Sequence, residues 1–340
     1  MSPPTVAAAR VAILGAGSVG CFVGGCWQAA GLPVTFIGRP SFAGDIRQHG
    51  LTLSDYSGWR THLDHVDYRT DAEALRDADI IALTVKSGGT ADAAREIARY
   101  GKDGATVISF QNGISNVDVL QHEPGDRFNV IRGMVPYNVA YLGDGRFHKG
   151  VAGVLYAEDR PETRSLSQAI GPGPAALTLS DDMIGIAWGK LLINLNNAVN
   201  ALSGRPLIDQ LRQRDYRSVV AASQREGLKL LRRARIEPAK IGAVGPGLLP
   251  TIIASPNWLF NNVFLKAWKI DAKARSSMAD DLKAGRKTEI DYINGELVAL
   301  ADRLGAGAPV NRRIVELIRR AEDGAKPWAP AALRREVLDR

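Results

Sequence analysis

Apolar positions along this 340-residue chain follow two regimes. Up to about residue 180 they come in short runs divided by turns and amphipathic stretches. Beyond it they recur at helical spacing. The runs Arg10–Leu14, Val34–Ile37, Ile80–Val85 and Ala105–Phe110 predict buried parallel strands, with helices at Cys21–Ala30 and from Thr90. Residues 41–70 predict a short helix and then strand-like alternation. From Val130 to Tyr156 the pattern is strand-rich, with a hairpin turn at Gly143-Asp144-Gly145, and is expected to extend the same sheet. A helix at Pro161–Ile170 precedes the break Gly171-Pro172-Gly173-Pro174. A short strand at Leu177 follows, and Asp181 and Asp182 suit a helix start.

Past that point the chain predicts helices only. In 184–202, Ile184, Ala187, Leu191, Leu195, Ala198 and Leu202 line one apolar face, so this stretch predicts a single, largely buried helix. Tyr216–Ala234 is a second long helix. Ser255–Trp268 carries Trp258, Phe260, Phe264 and Trp268, which read as core. Ser276 or Ser277 begins a further helix, Gly285 interrupts it, Glu289 opens the next, and an amphipathic helix ends near Arg320. The fold class expected is α/β: a Rossmann-type doubly wound domain at 1–180, an all-α domain at 181–325, and a tail at 326–340.

Composition narrows the class. With 45% apolar and 23% charged residues the chain reads as an ordinary globular protein. It has no apolar run of about 18 residues, so no membrane span is expected. Met1–Arg10 lacks the basic flank and apolar core of a signal peptide, so the cytoplasm is the expected location. A net charge of +7 suits acidic small molecules. The Lys and Arg residues are dispersed and no nucleic-acid-binding pattern appears; Arg334, Arg335 and Arg340 read as a solvated end. Cys21 and Cys26 sit in one predicted helix without a histidine cluster, and read as small core residues rather than metal ligands.

Three places carry chemistry. Gly15-Ala16-Gly17-Ser18-Val19-Gly20 lies between a strand and a helix, as a dinucleotide-binding turn requires. Gly15 permits the tight turn, Gly17 lets backbone approach a pyrophosphate, and Gly20 lets helix and strand pack closely. The second strand ends in Gly38-Arg39-Pro40 with no acid to hold a ribose 2′-hydroxyl. Arg39 can bind a 2′-phosphate instead, which argues for NADP(H). Lys86 and Asn112 end two further strands and so face the same crevice. In the helical half, Lys190, Asn194 and Asn197 stand at i, i+4 and i+7 in one row on an apolar helix. A buried ammonium is costly unless paired or used.

These residues form a pattern. The chain resembles the ketopantoate reductase (2-dehydropantoate 2-reductase) family in the glycine turn, Thr84-Val85-Lys86, Gln111-Asn112-Gly113, Trp188-Gly189-Lys190, Ser276-Ser277-Met278, Thr288–Gly295 and Pro309-Val310-Asn311. The resemblance spans nearly the whole chain in order, and Thr288–Gly295 is its most specific part. It implies a Rossmann domain, a helical domain and an active site in the cleft between them, where NADPH reduces ketopantoate to pantoate for pantothenate synthesis. It implies Lys190 as general acid, and Gly15–Gly20, Lys86, Asn112, Ala140 and Glu289 as cofactor contacts. Asn112, Lys190, Asn194 and Ser277 are implied as substrate contacts. Hydride transfer to a 2-oxo acid builds negative charge on the ketone oxygen, which a positioned ammonium stabilises and then protonates. The family's helix has a second asparagine eight residues after the lysine. Here that position is Ala198, with Asn197 and Asn200 beside it, and Asn197 is the better geometric substitute. Two alternatives stand beside this reading: a reductase of the same fold for another 2-oxo acid or ketone, and an NADP-binding sensor without turnover. The expected partner is a small 2-oxo acid; a homodimer is admitted but not required by any of these residues.

Overall fold

The computed structural model describes residues 9–123, 125–268, 270 and 274–339. The expectations placed on the first eight residues and on Arg340 lie outside them. The chain divides into two compact units, Met1–Met183 and Ile184–Arg340.

In the first unit, an eight-stranded sheet has the order β12-β11-β8-β7-β6-β1-β2-β5. Its strands are β1 (Val11–Leu14), β2 (Val34–Ile37), β5 (Asp67–Arg69), β6 (Ile80–Leu83), β7 (Thr106–Ser109), β8 (Asn129–Met134), β11 (Leu155–Glu158) and β12 (Leu177–Ser180). The helices are α1 (Ser18–Ala29), α2 (Pro40–His49), α3 (Thr90–Tyr100), α4 (Asn116–His122) and α5 (Pro161–Ile170). All residues of β1, β6 and β7 are buried, which accounts for the unbroken Val, Ile, Leu and Ala of β1 and β6; β7 adds the buried hydroxyls of Thr106 and Ser109 at its ends. The six strands from β5 to β8 are mutually parallel, and β11 joins β8 antiparallel. The chain winds outward from β1 in both directions, through β2 on one side and β6 on the other. The switch point therefore lies between the carboxyl ends of β1 and β6, where doubly wound sheets bind ligands.

One expectation needs correcting. The strands of 139–149 do not extend this sheet. β9 (Val139–Tyr141) and β10 (Arg146–Lys149) pair instead with β3 (Leu51–Asp55) and β4 (Arg60–Leu63) in a separate four-stranded sheet of order β4-β3-β10-β9. The cause is a second layer over α1. Phe147, Leu51 and Leu53 are fully buried, and a Cβ on Gly25 of α1 would stand 2.6 Å from Leu51. The helix is small enough on that side for a second sheet to close over it. The burial extends to Cys21 and Cys26, both without a disulfide, and desolvation pushes the Cys26 thiol up to about 12.

The second unit is helical. Its helices are α6 (Met183–Asn194, starting at the boundary), α7 (Asn196–Ser203), α8 (Leu207–Arg212), α9 (Arg214–Arg233) and α10 (Leu249–Ala254). There follow α11 (Asn257–Leu259), α12 (Leu265–Ala267), α13 (Ser277–Lys283), α14 (Asn294–Arg303), α15 (Pro309–Glu322) and α16 (Pro330–Leu338). The expected single helix over 184–202 is two, divided at Leu195. Asn194, Asn196 and Asn197 flank the break, and asparagine side chains compete with the backbone for helix hydrogen bonds. Leu195 keeps helical dihedrals and its N–H still donates to the Leu191 carbonyl, so the helix direction is nearly preserved. Ile184, expected on the buried face, is 43% exposed in the first turn of α6.

A second correction concerns the aromatics of 255–268. Phe260 is buried but Trp258 is 70% exposed. A π-helical turn at Phe260–Phe264 shifts the register there, and the buried Arg217 of α9 occupies the inner face. Its guanidinium lies over the Phe260 ring and donates to the carbonyls of Ile253 and Ser255 and to Asn257 Oδ1. Among the described residues no helix is long and apolar enough to cross a membrane.

Candidate active site

In the first unit the glycine turn is built from β1 outward. Gly15 has φ +96°, a conformation that favours glycine, and a Cβ there would overlap the Val85 backbone and stand 2.6 Å from Val85 Cγ1. The N–H groups of Gly15 and Ala16 both donate to the Ile37 carbonyl at 2.9 Å, locking the turn onto the end of β2. Those two amides are therefore committed to the fold. The free donors lie one step further on. Gly17 is the N-cap of α1, no side chain caps the helix, and its first turn holds no acid. The N–H groups of Ser18 and Val19 accordingly point out of the positive end of a 12-residue helix. A Cβ on Gly17 would find nothing nearer than the Gly15 carbonyl oxygen at 3.9 Å, so open space lies over the turn. Bare donors and that space fit a pyrophosphate.

The neighbouring strand ends face the same crevice. The Thr84 N–H donates to the Leu14 carbonyl, and Thr84 Oγ1 to that of Gly15. Lys86, exposed, follows β6; Asn112, half-buried, follows β7. A polar lattice fixes the two loops to each other. Ser87 Oγ donates to the Asn112 carbonyl at 2.9 Å, and Gln111 Nε2 donates to Thr90 Oγ1 at 2.8 Å and to the Val85 carbonyl at 3.2 Å. Thr90 Oγ1 in turn donates to Asn116 Oδ1 at 2.7 Å. The first unit thus brings Gly15–Gly20, Lys86 and Asn112 together. Arg39 is the N-cap residue of α2 with its side chain exposed, and Tyr68 Oη donates to the Ala16 carbonyl at 2.9 Å, with the Arg39 carbonyl 3.3 Å away. Ala140 is placed differently, exposed on β9, an edge strand of the second sheet.

A cavity of about 940 Å³ in this unit is no part of the crevice. It lies at the amino ends of β1 and β2, where Val11 and Val34 line it. Two ion pairs lie on its rim, Arg10 with Asp77 and Arg69 with Asp67.

In the second unit, Trp188-Gly189-Lys190 divides its work by helix face. Trp188 is 2% exposed and anchors α6 in the core. Gly189 accepts the backbone of Ala239 against the helix, where a Cβ would overlap the Ala239 carbonyl, and the Ala239 N–H donates to the Gly185 carbonyl. Lys190 stands about 100° further round. Burial pulls its ammonium down from the ordinary 10.5 to about 8, against the opposing pull of the Glu289 carboxylate. Its side chain is half-buried by exposed area.

The polar row that follows is sorted by its hydrogen bonds. Asn200 is fully buried and committed: its Oδ1 accepts from the Ser276 N–H at 2.9 Å and its Nδ2 donates to the Arg205 carbonyl at 3.1 Å. Ser276 caps α13 through its Oγ, which accepts from the Ala279 N–H and donates to the Asn197 carbonyl at 3.0 Å. That leaves Ser277 as the first residue of α13, half-buried and adjacent to α7. Asn194 and Asn197 are half-buried, and no hydrogen bond to either side chain occurs among the described residues. Ala198 is fully buried.

Sequence reasoning missed what holds Glu289. Residues 288–294 run along α15 and are fastened to it three times. Thr288 donates to Glu322 through its N–H and its Oγ1, at 2.8 and 2.7 Å. Asp291 pairs with Arg319 at 2.8 Å, and Asn294 Nδ2 donates to Asn311 Oδ1 at 2.9 Å. Glu226 of α9 accepts from the N–H groups of Val310 and Asn311 and so caps α15. Thr288, Asp291 and Asn294 follow one another at a three-residue step, and that spacing is the one local signal. Among the described residues no group of three or more His, Cys, Asp or Glu could hold a metal ion.

Comparison with known proteins gives the family and the fold. Residues 11–162 match the family model described as ketopantoate reductase PanE/ApbA, and residues 182–322 match its C-terminal counterpart. The 2-dehydropantoate 2-reductase of Halobacterium salinarum is 28% identical over 322 residues, covering 92% of this chain and 99% of that protein. A crystal structure of a PanE/ApbA family ketopantoate reductase from Ralstonia eutropha superposes with a TM-score of 0.77 at 28% identity, covering 92% of this chain and 98% of that one. The ternary structure of D-mandelate dehydrogenase with NADH and anilino(oxo)acetate shares the fold, with a TM-score of 0.74 at 22% identity over 92% of this chain and 98% of that one.

Proposed function

The chain belongs to the ketopantoate reductase family, and from that premise we propose that it reduces 2-dehydropantoate to pantoate with NADPH, in pantothenate biosynthesis, with Lys190 as general acid. The observation that carries the proposal is Lys190 itself: a half-buried ammonium on an apolar helix, with its proton affinity lowered to about 8. Such a group is still largely protonated at neutral pH, yet gives its proton up more readily than an ordinary lysine. When bound, the reduced dinucleotide supplies the hydride. Lys190 Nζ then donates its proton to the ketone oxygen as negative charge develops there, and the neutral amine takes a new proton from water. Asn194, Asn197 and Ser277 are assigned to the substrate, where their N–H and O–H donors suit a carboxylate and a hydroxyl. Asn112 is assigned to both ligands. The N–H groups of Ser18 and Val19, in the turn from Gly15 to Gly20, and the Lys86 ammonium are assigned to the phosphates. Ala140 and Glu289 are further cofactor contacts in this reading, resting on the family resemblance.

Arg39 is assigned to the 2′-phosphate. Its exposed guanidinium follows β2, where no carboxylate stands. An Arg39→Ala variant is expected to lose roughly tenfold or more of its preference for NADPH over NADH in kcat/KM, the weight of a charge-assisted hydrogen bond. Unchanged selectivity in that comparison would remove Arg39 from the site.

Initial-rate assays of NADPH oxidation with 2-dehydropantoate, set beside a panel of branched and aromatic 2-oxo acids, test the proposal. It requires 2-dehydropantoate to have the highest kcat/KM. One observation favours a second reading, a reductase for another 2-oxo acid. Ala198 is fully buried where the family pattern has an amide, so an anchor for one part of the substrate is replaced or lost. A better substrate elsewhere in the panel would select that reading. Dinucleotide binding without turnover of any member would leave only a sensor.

A further inference from the structure

We propose that Glu322 is a positioning residue for the proton donor: by clamping Thr288 it holds the Glu289 carboxylate in the field of Lys190. The proposal rests on Lys190 being the general acid. Three observations carry it. Glu322 is the last residue of α15, an end where the helix dipole disfavours a carboxylate, and yet its side chain is only 7% exposed. Its bonds converge on one turn. Oε1 accepts from both the N–H and the Oγ1 of Thr288, and Oε2 from Lys287 Nζ at 3.1 Å. Burial alone would raise its pKa, but the hydrogen bonds from Thr288 and Lys287 outweigh it and hold the carboxylate below its ordinary value. Lys287 is 77% exposed and adds little, which leaves Thr288 as the partner of consequence.

Thr288 passes the restraint on. Its Oγ1 also accepts from the Ile290 N–H at 3.3 Å, so both neighbours of Glu289 are tied to one hydroxyl. On the far side of the segment the buried bond from Asn294 to Asn311 does the fixing, and the exposed Asp291–Arg319 pair adds little. The backbone on both sides of Glu289 is therefore held.

On its own segment Glu289 shares the surroundings of Tyr292 with Asp291 and the buried Glu296. Glu289 is the carboxylate that acts on Lys190. From the segment packed against Gly189, the charged side chains are Glu237 and Lys240, both exposed. From α9, the neutral Gln224 contacts the helix, donating to the Leu192 carbonyl. Around Glu322 stand Lys287, Asp323 and Arg319, all exposed, with Arg319 engaged by Asp291.

The test reads Lys190 directly, by NMR titration of lysine 13Cε signals in the full chain, with the Lys190 signal assigned by its absence in Lys190→Arg. No substrate is needed, so a wrong substrate assignment and a wrong role for Glu322 give different results. In Glu322→Ala the Lys190 titration midpoint is expected to fall by about half a pH unit or more, because the opposing carboxylate is no longer held. Glu322→Gln keeps an oxygen acceptor for Thr288 and is expected to restore the midpoint. Glu289→Gln should lower it by at least as much, and adding Glu322→Ala to Glu289→Gln should change nothing further. If Glu322→Ala does not fold, Thr288→Val serves in its place and is expected to shift the midpoint in the same direction. A midpoint unmoved by Glu322→Ala or Thr288→Val, in protein where Glu289→Gln moves it, overturns the proposal.

Discussion

Replacing Lys190 by alanine is expected to lower kcat for 2-oxo acid reduction by roughly 10²–10⁴-fold, the range supplied by a positioned general acid, while the dissociation constant for the dinucleotide stays unchanged. Two features of the structure set these expectations apart. Lys190 lies in the second unit on α6, whereas the glycine turn, Lys86 and the 112 loop are held by bonds internal to the first. Removing an ammonium from α6 also ends a desolvation cost, so the variant should be no less stable than the parent. A loss of turnover with intact melting and intact dinucleotide binding is the signature of an interaction made in the transition state. Lys190→Arg is informative beside it. The guanidinium keeps the charge but does not give up a proton near neutral pH, so it should restore little of the rate.

The second large effect belongs to the glycine turn, and there two neighbouring glycines should behave differently. Gly17→Ala places its Cβ in open space, 3.9 Å from the nearest protein atom and at an ordinary φ of −88°. The chain itself should tolerate it, with an unchanged melting temperature. The methyl group instead occupies the space assigned to the pyrophosphate, so the dinucleotide dissociation constant is expected to rise about tenfold or more, near 1.4 kcal/mol per decade. Gly15→Ala forces an L-residue to φ +96° and drives a Cβ into the Val85 backbone. It should lose stability first, by about 1–2 kcal/mol from the dihedral alone and more from the overlap. Calorimetric titration and thermal melts of the two variants separate these outcomes. Native-like dinucleotide affinity in Gly17→Ala would move the phosphate site away from this turn.

Local pattern carries much of the first unit. A strand, a glycine turn and a helix are consecutive in sequence, and Lys86 and Asn112 follow their strands directly. Their convergence therefore follows from parallel pairing alone. The second sheet is a different case. Ser54 on β3 meets His148 on β10 across 94 positions, and what pairs them is the small outer face of α1 at Gly25, which no window on either strand contains. Heptad-like spacing places Lys190, Asn194 and Asn197 in one row, and the break at Leu195 scarcely disturbs it. The spacing does not tell Asn197 from Asn200, because that distinction lies in the Ser276 N–H and the Arg205 carbonyl. Trp258 reads as core for the same reason that Phe260 does, and only the π-helical turn and the buried Arg217 part them. Glu322 carries no sequence signal at all, since its meaning depends on Thr288, 34 positions earlier.

The central claim, that Lys190 donates the proton, has a direct measurement in the pH dependence of kcat/KM for reduction of 2-dehydropantoate by NADPH, which reports the free enzyme. The donor is the protonated ammonium, so the active fraction is full below its pKa and lost as pH rises through it. The account predicts a plateau at neutral pH and an alkaline fall centred near 8, with the residual rate of Lys190→Ala showing no such limb. A profile that stays flat well above that pH, or an alkaline limb that survives in Lys190→Ala, would contradict it.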